Sequence, residues 1–504
     1  MTPREPVDLD GDGSVAADDC DDADPNSYPG APETCDGKDN NCDGTVAEDD
    51  TDRDGVRWCL DCADTEPTVY PGAADPLGDG LDQDCDGTDG VGEQLVDPIY
   101  GFQVPYASYG LAVAAADLDG DGCAEWLAGA PGYPISTAGE DGITVAAGCG
   151  DMGVAPVPWM GTGRGIGTRI DLRPGRILVA EWGYGGTGRV LVFDAPLLPS
   201  SAPRLEIFGQ GPTDDFRTGA FLGAAGEWVL LGSQGGGALP AEFVVVDASR
   251  SGQLELGYSG DPDYRITTDT ADPATGWYVS DVGDRDGDGQ VDLGLGSGYP
   301  LRNALYLFPH LQDGHMEDAP EVWHGETTYP GWGTAAYTSG AADLDGDGLD
   351  DAVSANPLAE GAVLLAGRVY VVPYGGPGDF TLETDAAARI EGELAWESTG
   401  TGLAIGDLDR DGQADLVVGA PGNENVIGFP GRVDVFLGPL AGTLTRTDAA
   451  RVWVGELGDY AGLSVAVGDI DGSGALDLVV GAPFRDGPES EGVMGAVYIV
   501  GDPF

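Results

Sequence analysis

Residues 402–422 read GLAIGDLDRDGQADLVVGAPG, and residues 462–484 read GLSVAVGDIDGSGALDLVVGAPF. In each, a short apolar run leads into a tight acidic loop, and a second apolar run leaves it for Gly-Ala-Pro. Runs this short, bounded by Gly and Asp, read as strands rather than helices. The unit returns near Tyr109, Gly276 and Gly333. Degenerate copies start near Ile166 (IGTRIDLRPGRILVAEW) and Thr218 (TGAFLGAAGEWVLLGSQGG), where the acidic loop is missing but the apolar runs remain. Seven copies result, at a period of roughly sixty residues. A third strand such as 431–436 (GRVDVF) and an outer strand such as 451–454 (RVWV) complete each unit. Four short strands per repeat predict an all-β chain with a seven-bladed β-propeller over residues 93–504. A linear β-solenoid has much shorter repeats. Small residues in the first strands, as in LAVAAA at 111–116, suit strands crowded around a narrow axis.

Five loops place side-chain oxygens at positions 1, 3, 5 and 9, with a backbone carbonyl expected at 7. They are Asp117, Asp119, Asp121, Cys123 and Glu125; Asp284, Asp286, Asp288, Gln290 and Asp292; Asp343, Asp345, Asp347, Leu349 and Asp351; Asp407, Asp409, Asp411, Gln413 and Asp415; and Asp469, Asp471, Ser473, Ala475 and Asp477. Three or four carboxylates in nine residues form a hard donor set. It is too rich in oxygen for zinc or copper and too crowded for magnesium with its waters, so Ca2+ is the expected ion. The loops join first to second strands and therefore share one face. Longer, more varied loops open on the other, beside Trp159, Phe216, Tyr329, Trp332, Trp396 and Tyr460.

These residues carry a resemblance to FG-GAP repeats, the units of the integrin α-chain N-terminal propeller, over about four-fifths of the chain. The resemblance implies a calcium-stabilised module that binds protein or glycan. The second and third units depart from it by having no acidic loop.

Residues 1–92 hold a different repeat. Asp19-Cys20-Asp21-Asp22 through Tyr28-Pro29-Gly30-Ala31 to Cys42-Asp43-Gly44 aligns with Asp61-Cys62-Ala63-Asp64 through Tyr70-Pro71-Gly72-Ala73 to Cys85-Asp86-Gly87. Repeat symmetry predicts disulfides Cys20–Cys42 and Cys62–Cys85, leaving Cys35–Cys59. Cys123–Cys149 would staple the first blade. Twelve-residue loops with EF-hand ligand spacing bracket the units: Asp8, Asp10, Asp12, Ser14 and Asp19; Asp50, Asp52, Asp54, Val56 and Asp61; and, more weakly, Asp39, Asn41, Asp43 with Asp50, and Asp82, Asp84, Asp86 with Glu93. No amphipathic helix flanks them. The segment is similar to the Asp/Cys-rich metal-binding repeats of secreted bacterial surface proteins and, more distantly, to thrombospondin type 3 repeats. That resemblance implies calcium in place of a hydrophobic core and a stiffened stalk, with metal sequestration as the rival reading.

Charge narrows the partners. With 88 acidic and 22 basic side chains the chain carries a net charge of −66, which repels nucleic acid and anionic lipid. No run of eighteen apolar residues spans a membrane. Six of the eight cysteines fall in the first hundred residues among turn signals, the pattern of an oxidising, extracellular or cell-surface location. No signal peptide is visible at the start of this numbering. Lys38 is the only lysine, and the histidines are His310, His315 and His324. No nucleophile or phosphate-loop motif accompanies them. The reading is a monomeric binding or adhesion protein without catalysis; a polysaccharide-active enzyme on a propeller scaffold is the alternative. Residues 94–105 are expected to supply the outer strand of the last blade and close the ring.

Overall fold

In the computed structural model the chain divides into two compact units, Met1–Gly92 and Glu93–Phe504. The structure describes residues 93–504 apart from 96–97, 101–106, 133–141, 147–156, 161–164, 182–187, 198–200, 209–217, 223–227, 234–241, 257–261, 268–274, 298–303, 326–340, 360–364, 423–429, 457 and 487–492. Before them it describes 8–10, 14–15, 19–21, 23–31, 38, 40–42, 52, 63 and 65–69.

The larger unit is a seven-bladed β-propeller: its strands form seven sheets, one per repeat. Blade 6 shows the plan, with antiparallel strands Gly402–Gly406, Asp415–Ala420, Arg432–Phe436 and Arg451–Val454 in chain order from the axis outward. Blades 1 to 4 start at Val113–Ala116, Ile166–Arg173, Thr218–Leu222 and Thr275–Asp281, and blade 7 at Ser464–Gly468. In blade 5 the innermost pairing described is the Ala342–Asp351 bridge ahead of Ala352–Asn356. The degenerate second and third repeats form strands as complete as the others; blade 2 turns at Pro174-Gly175 where an acidic loop would stand.

The core is seven apolar layers, each between neighbouring blades. Leu344, Val353, Val369, Leu403, Leu416 and Phe436 fill the layer between blades 5 and 6. Val417, Val433, Trp453, Val465, Leu478 and Tyr498 fill the next. The glycine of each Gly-Ala-Pro explains how tightly the blades approach. A Cβ on Gly129, Gly419 or Gly481 would collide with the carbonyl oxygen of Gly167, Gly462 or Gly110 in the adjacent blade. Those partner glycines have φ of 81°, 85° and 87°, so both sides of the contact require a residue without a side chain.

Closure takes the expected route with an addition. Ile99 forms an antiparallel bridge with Val497, its amide donating to Val497 O at 2.7 Å and its carbonyl accepting from Val497 N at 3.0 Å. This places Ile99 on the outer edge of blade 7. Just before it, Glu93–Gln94 runs parallel to the outer strand of blade 6 at Trp453 and Val454. The same device recurs: Gly252–Glu255, Gly314–His315, Gly378–Thr381 and Gly442–Leu444, each preceding the outer strand of its own blade, add a parallel fifth strand to the blade before. Outer edges are thus covered, which blunts edge-to-edge aggregation. Ile99→Pro removes the donor that seals the ring and should cost about 1–3 kcal/mol, read as a lower calorimetric midpoint for the propeller.

Candidate metal centres

Each acidic loop joins the first to the second strand of its blade, so the five loops share one face. One hydrogen-bond pattern builds them all. The first carboxylate accepts the amide five residues on: Gly122 to Asp117, Gly289 to Asp284, Gly348 to Asp343, Gly412 to Asp407 and Gly474 to Asp469, at 2.8–3.1 Å. The third-position carboxylates Asp119, Asp286, Asp345, Asp409 and Asp471 each accept the amide two residues on. Position 5 accepts the amides of Cys123, Gln290, Leu349, Gln413 and Ala475. These bonds curl the chain so that alternate side chains converge.

The carboxylate at position 9 opens the second strand and reaches back across the loop. Glu125, Asp292, Asp351, Asp415 and Asp477 accept the amides of Leu118, Arg285, Leu344, Leu408 and Ile470 at 2.7–3.0 Å. Position 2 is therefore part of the site through its backbone. Its side chain is the apolar plug beneath the loop at Leu118, Leu344, Leu408 and Ile470, all buried. Alternating Asp and Leu or Ile was the signal for it in the sequence.

Donor oxygens of Asp117, Asp119 and Glu125, of Asp284, Asp286 and Asp288, of Asp343, Asp345 and Asp347, and of Asp407, Asp409 and Asp415 lie within 4.8 Å of one another in each group. One oxygen on each of Asp284, Asp292, Asp351, Asp407 and Asp469 is buried and meets no protein donor. Buried carboxylate oxygens without a partner are costly. Convergent, orphaned and all oxygen, these groups fit a divalent metal. Burial pushes Asp292 and Asp351 up to about 7, and it also raises Glu125, Asp345, Asp415 and Asp477. A cation would oppose that shift.

The loops also hold neighbouring blades. Gly175 N donates to Leu118 O at 3.0 Å, Leu440 N to Leu344 O at 2.6 Å, Ala124 N to Asp469 O at 2.6 Å, and Asp284 N to Asp350 Oδ2 at 3.0 Å. Cys123 is buried and disulfide-bonded, so it offers a metal no thiolate; Cys149 lies outside the described residues. Blade 4 has an arginine at position 2. Arg285 is fully buried, pairs with Glu321 through two nitrogens at 3.1 and 3.2 Å, and donates to Val372 O and Pro373 O. Nothing local in the sequence announced that pair, since Glu321 lies in the outer strand Glu321–His324.

In the smaller unit Cys20–Cys42 forms the predicted disulfide. Asp19 Oδ1 accepts the Asp21 amide at 2.9 Å, while its Oδ2 is buried with no donor. Asp8, Asp10, Ser14, Asn41 and Asp52 are described. Asp12, Asp39, Asp43, Asp50, Asp54, Val56, Asp61, Asp82, Asp84 and Asp86, with Cys35, Cys59, Cys62 and Cys85, lie outside the described residues. Glu93 is described by its backbone, which pairs with blade 6. Of the aromatic candidates, Tyr460 is buried edge-on against Phe484 at 5.0 Å and Trp396 is half-buried. Trp159 is described by its backbone, and Phe216, Tyr329 and Trp332 lie outside the described residues.

Residues 343–418 match the FG-GAP-like repeat, and residues 461–500 match the FG-GAP repeat. The propeller carries FG-GAP repeats. Residues 19–48 and 61–89 match the metal-binding motif named Cu-binding MopE, in two copies as the internal alignment requires. Integrin alpha-5 of Xenopus laevis is 32% identical over 218 residues, 41% of this chain and 19% of that protein. Integrin alpha-PS2 of Drosophila melanogaster is 34% identical over 170 residues, 32% of this chain and 11% of that protein. Phosphatidylinositol-glycan-specific phospholipase D of Homo sapiens is 32% identical over 177 residues, 33% of this chain and 20% of that protein. The chain thus spans about a fifth or less of the length of these relatives, which include an enzyme as well as integrins.

The raised carboxylates give a pH signature with a definite sign. A carboxylate whose folded value lies above its unfolded value of 3.8 contributes stability while protonated and loses it as pH rises through about 7. Chelated protein should therefore melt higher at pH 5.5 than at pH 8. Asp351→Asn should flatten that slope in chelator, yet in calcium the same change should destabilise by about 1–3 kcal/mol. Calorimetry of both variants in both buffers reads the reversal.

Proposed function

We propose that this chain is a calcium-stabilised extracellular binding and adhesion protein that engages protein or glycan through the propeller face opposite its metal loops. The carrying observation is the gathering of five near-identical carboxylate loops on one face, four of them with a buried oxygen that meets no protein donor. That face is committed to holding ions and neighbouring blades. The connections from second to third strands, as between residues 130 and 142 or 420 and 432, emerge on the other face and are free to vary.

Calcium is favoured over copper by the donors themselves. Asp117, Asp119, Asp121 and Glu125 would hold one ion, and the equivalent residues of blades 4 to 7 would hold the others, with the carbonyls of Cys123, Gln290, Leu349, Gln413 and Ala475 completing each set. Carboxylates and carbonyls suit a hard ion that accepts six to eight oxygens, roughly the supply of such a loop with water. Copper prefers imidazole or thiolate. In the Cu-binding MopE-like segment Cys20 and Cys42 are joined to each other, and the sequence has no histidine before His310. The bound ion neutralises the loop; the residues themselves already set its path.

A binding role accords with the integrin relatives, and a catalytic one would accord with the phospholipase D relatives. His315 and His324 are exposed and engage Thr267 and Asp379.

Chelation should lower the melting midpoint of the propeller at pH 7.5 by about 10 °C or more, with readdition of Ca2+ and not Cu2+ restoring it. An unchanged midpoint would remove the calcium reading. A glycan and extracellular-protein array probed in Ca2+ should yield a ligand whose capture is lost in chelator. Turnover of a polysaccharide or phosphodiester by the purified chain would instead establish the enzymatic alternative.

A further inference from the structure

We propose that Asp502 belongs to the metal centre of blade 7, supplying the carboxylate that the loop lacks at Ser473, and that residues 501–504 thereby fasten the loops of blades 6 and 7 together. The inference rests on the loops being cation sites. Four loops carry Asp at position 5, namely Asp121, Asp288, Asp347 and Asp411; the loop of blade 7 carries Ser473. Its set of charged ligands is one short.

Asp502 touches that loop at two of its ligand positions. Ser473 Oγ donates to Asp502 Oδ1 at 3.2 Å, and the Asp502 amide donates to Asp477 Oδ1 at 3.1 Å. Oxygens sharing one Ca2+ at about 2.3–2.6 Å lie roughly 3 Å apart, so the Ser473–Asp502 spacing is that of neighbouring ligands. At the other side of the loop, Asp469 Oδ1 is buried and meets no donor, and Asp477 is fully buried. The site therefore has an orphan oxygen awaiting a cation and an added carboxylate beside its weakest ligand.

Blade 6 holds the same segment from the other side. Arg410 Nη2 donates to Asp502 Oδ1 at 3.1 Å. Arg410 is at position 4 of its loop with φ 64°, where the other loops place Gly120, Gly287, Gly346 and Gly472. An L residue enters that left-handed conformation against steric resistance, and what Arg410 gains there is a side chain directed at Asp502. Arg451 Nε donates to Pro503 O at 3.0 Å, and its guanidinium lies 5.2 Å from the centre of the Phe504 ring. The Arg410–Asp502 pair is about half exposed, at 54% and 51%, and an exposed pair alone anchors a segment weakly. A shared cation gives Asp502 the stronger tether.

Native mass spectrometry at graded free Ca2+ tests this by counting ions per chain. The full chain should take up ions; D502N should carry one fewer at limiting Ca2+, its weakest site loosened about tenfold. S473D/D502N should regain the count by returning the carboxylate to the loop. R410G should keep it, because the arginine orients the segment without touching the ion. An unchanged count in D502N overturns the proposal, as does a loss that S473D cannot rescue, which would mark Asp502 as purely structural. A full chain that binds no Ca2+ at any concentration would instead overturn the reading of the loops, a result distinct from either.

Discussion

The carboxylate that opens the second strand of a blade and grips the amide at position 2 of the preceding loop is the contact on which this propeller turns. In blades 1, 4, 5, 6 and 7 it ties strand, loop and buried plug into one unit. The plug then enters the apolar layer shared with a neighbouring blade, as Leu344 does between blades 5 and 6 and Ile470 between blades 7 and 1. The same carboxylate is among the most buried acids of the fold, with Asp292, Asp351, Asp415 and Asp477 all nearly inaccessible. Two charges about 4 Å apart repel by roughly 4 kcal/mol at surface-like dielectric. Because backbone amides already define the turn, a bound cation is needed less to shape the loop than to make its charge tolerable.

The opposite face holds its blades by a different chemistry. Glu397, in the connection into blade 6, pairs with Arg432 at the start of that blade's third strand, and Arg432 forks onto Asp434 at 2.7 and 2.9 Å. Asp459 does the same one blade later, accepting from Arg485 at 2.8 Å and from Tyr498 OH, while Arg485 Nε also donates to Tyr100 OH at 3.0 Å. These are buried or half-buried groups, and removing one partner would strand the other at a cost of about 3–5 kcal/mol. Such pairs anchor the bases of the connections on this face.

Much of this was legible because the determinants are local. Alternating apolar residues, the glycine of Gly-Ala-Pro and ligand spacing all lie within about twenty residues of one another, so repeat, blade count and loop position could be read directly. Even Cys20–Cys42 followed from repeat symmetry. What escaped was non-local. The parallel fifth strands pair segments such as Gly378–Thr381 and Glu321–His324, which share no motif and meet only because adjacent blades twist past each other. Arg285 is buried against Glu321, 36 residues further along the chain, with Trp323 Nε1 donating to the same carboxylate at 2.7 Å. Asp502 lies 29 residues from Ser473 in sequence and meets it only through the register of blade 7.

The acidic loops are unevenly distributed around the ring. Blades 4, 5, 6, 7 and 1 form one continuous arc of acidic loops, and blades 2 and 3 form the remainder. In that remainder guanidinium groups pair with the acids: Arg173 beside Asp171, Arg176 and Arg204 both on Asp194, and Arg250 on Asp263. Arg189 is wedged between Glu181 and Glu206 in the same blade. A guanidinium neutralises its acid whether or not any ion is bound, whereas an acidic loop would need a bound cation to do so. The apolar layer between blades 2 and 3 packs Leu178, Val192, Val229, Leu231 and Val244 with no acidic loop on either neighbour. At the junctions that close the ring, between blades 6 and 7 and between blades 7 and 1, the loops of both neighbours are acidic, and among the described residues the sealing strand contributes the short pairings at Glu93–Gln94 and Ile99.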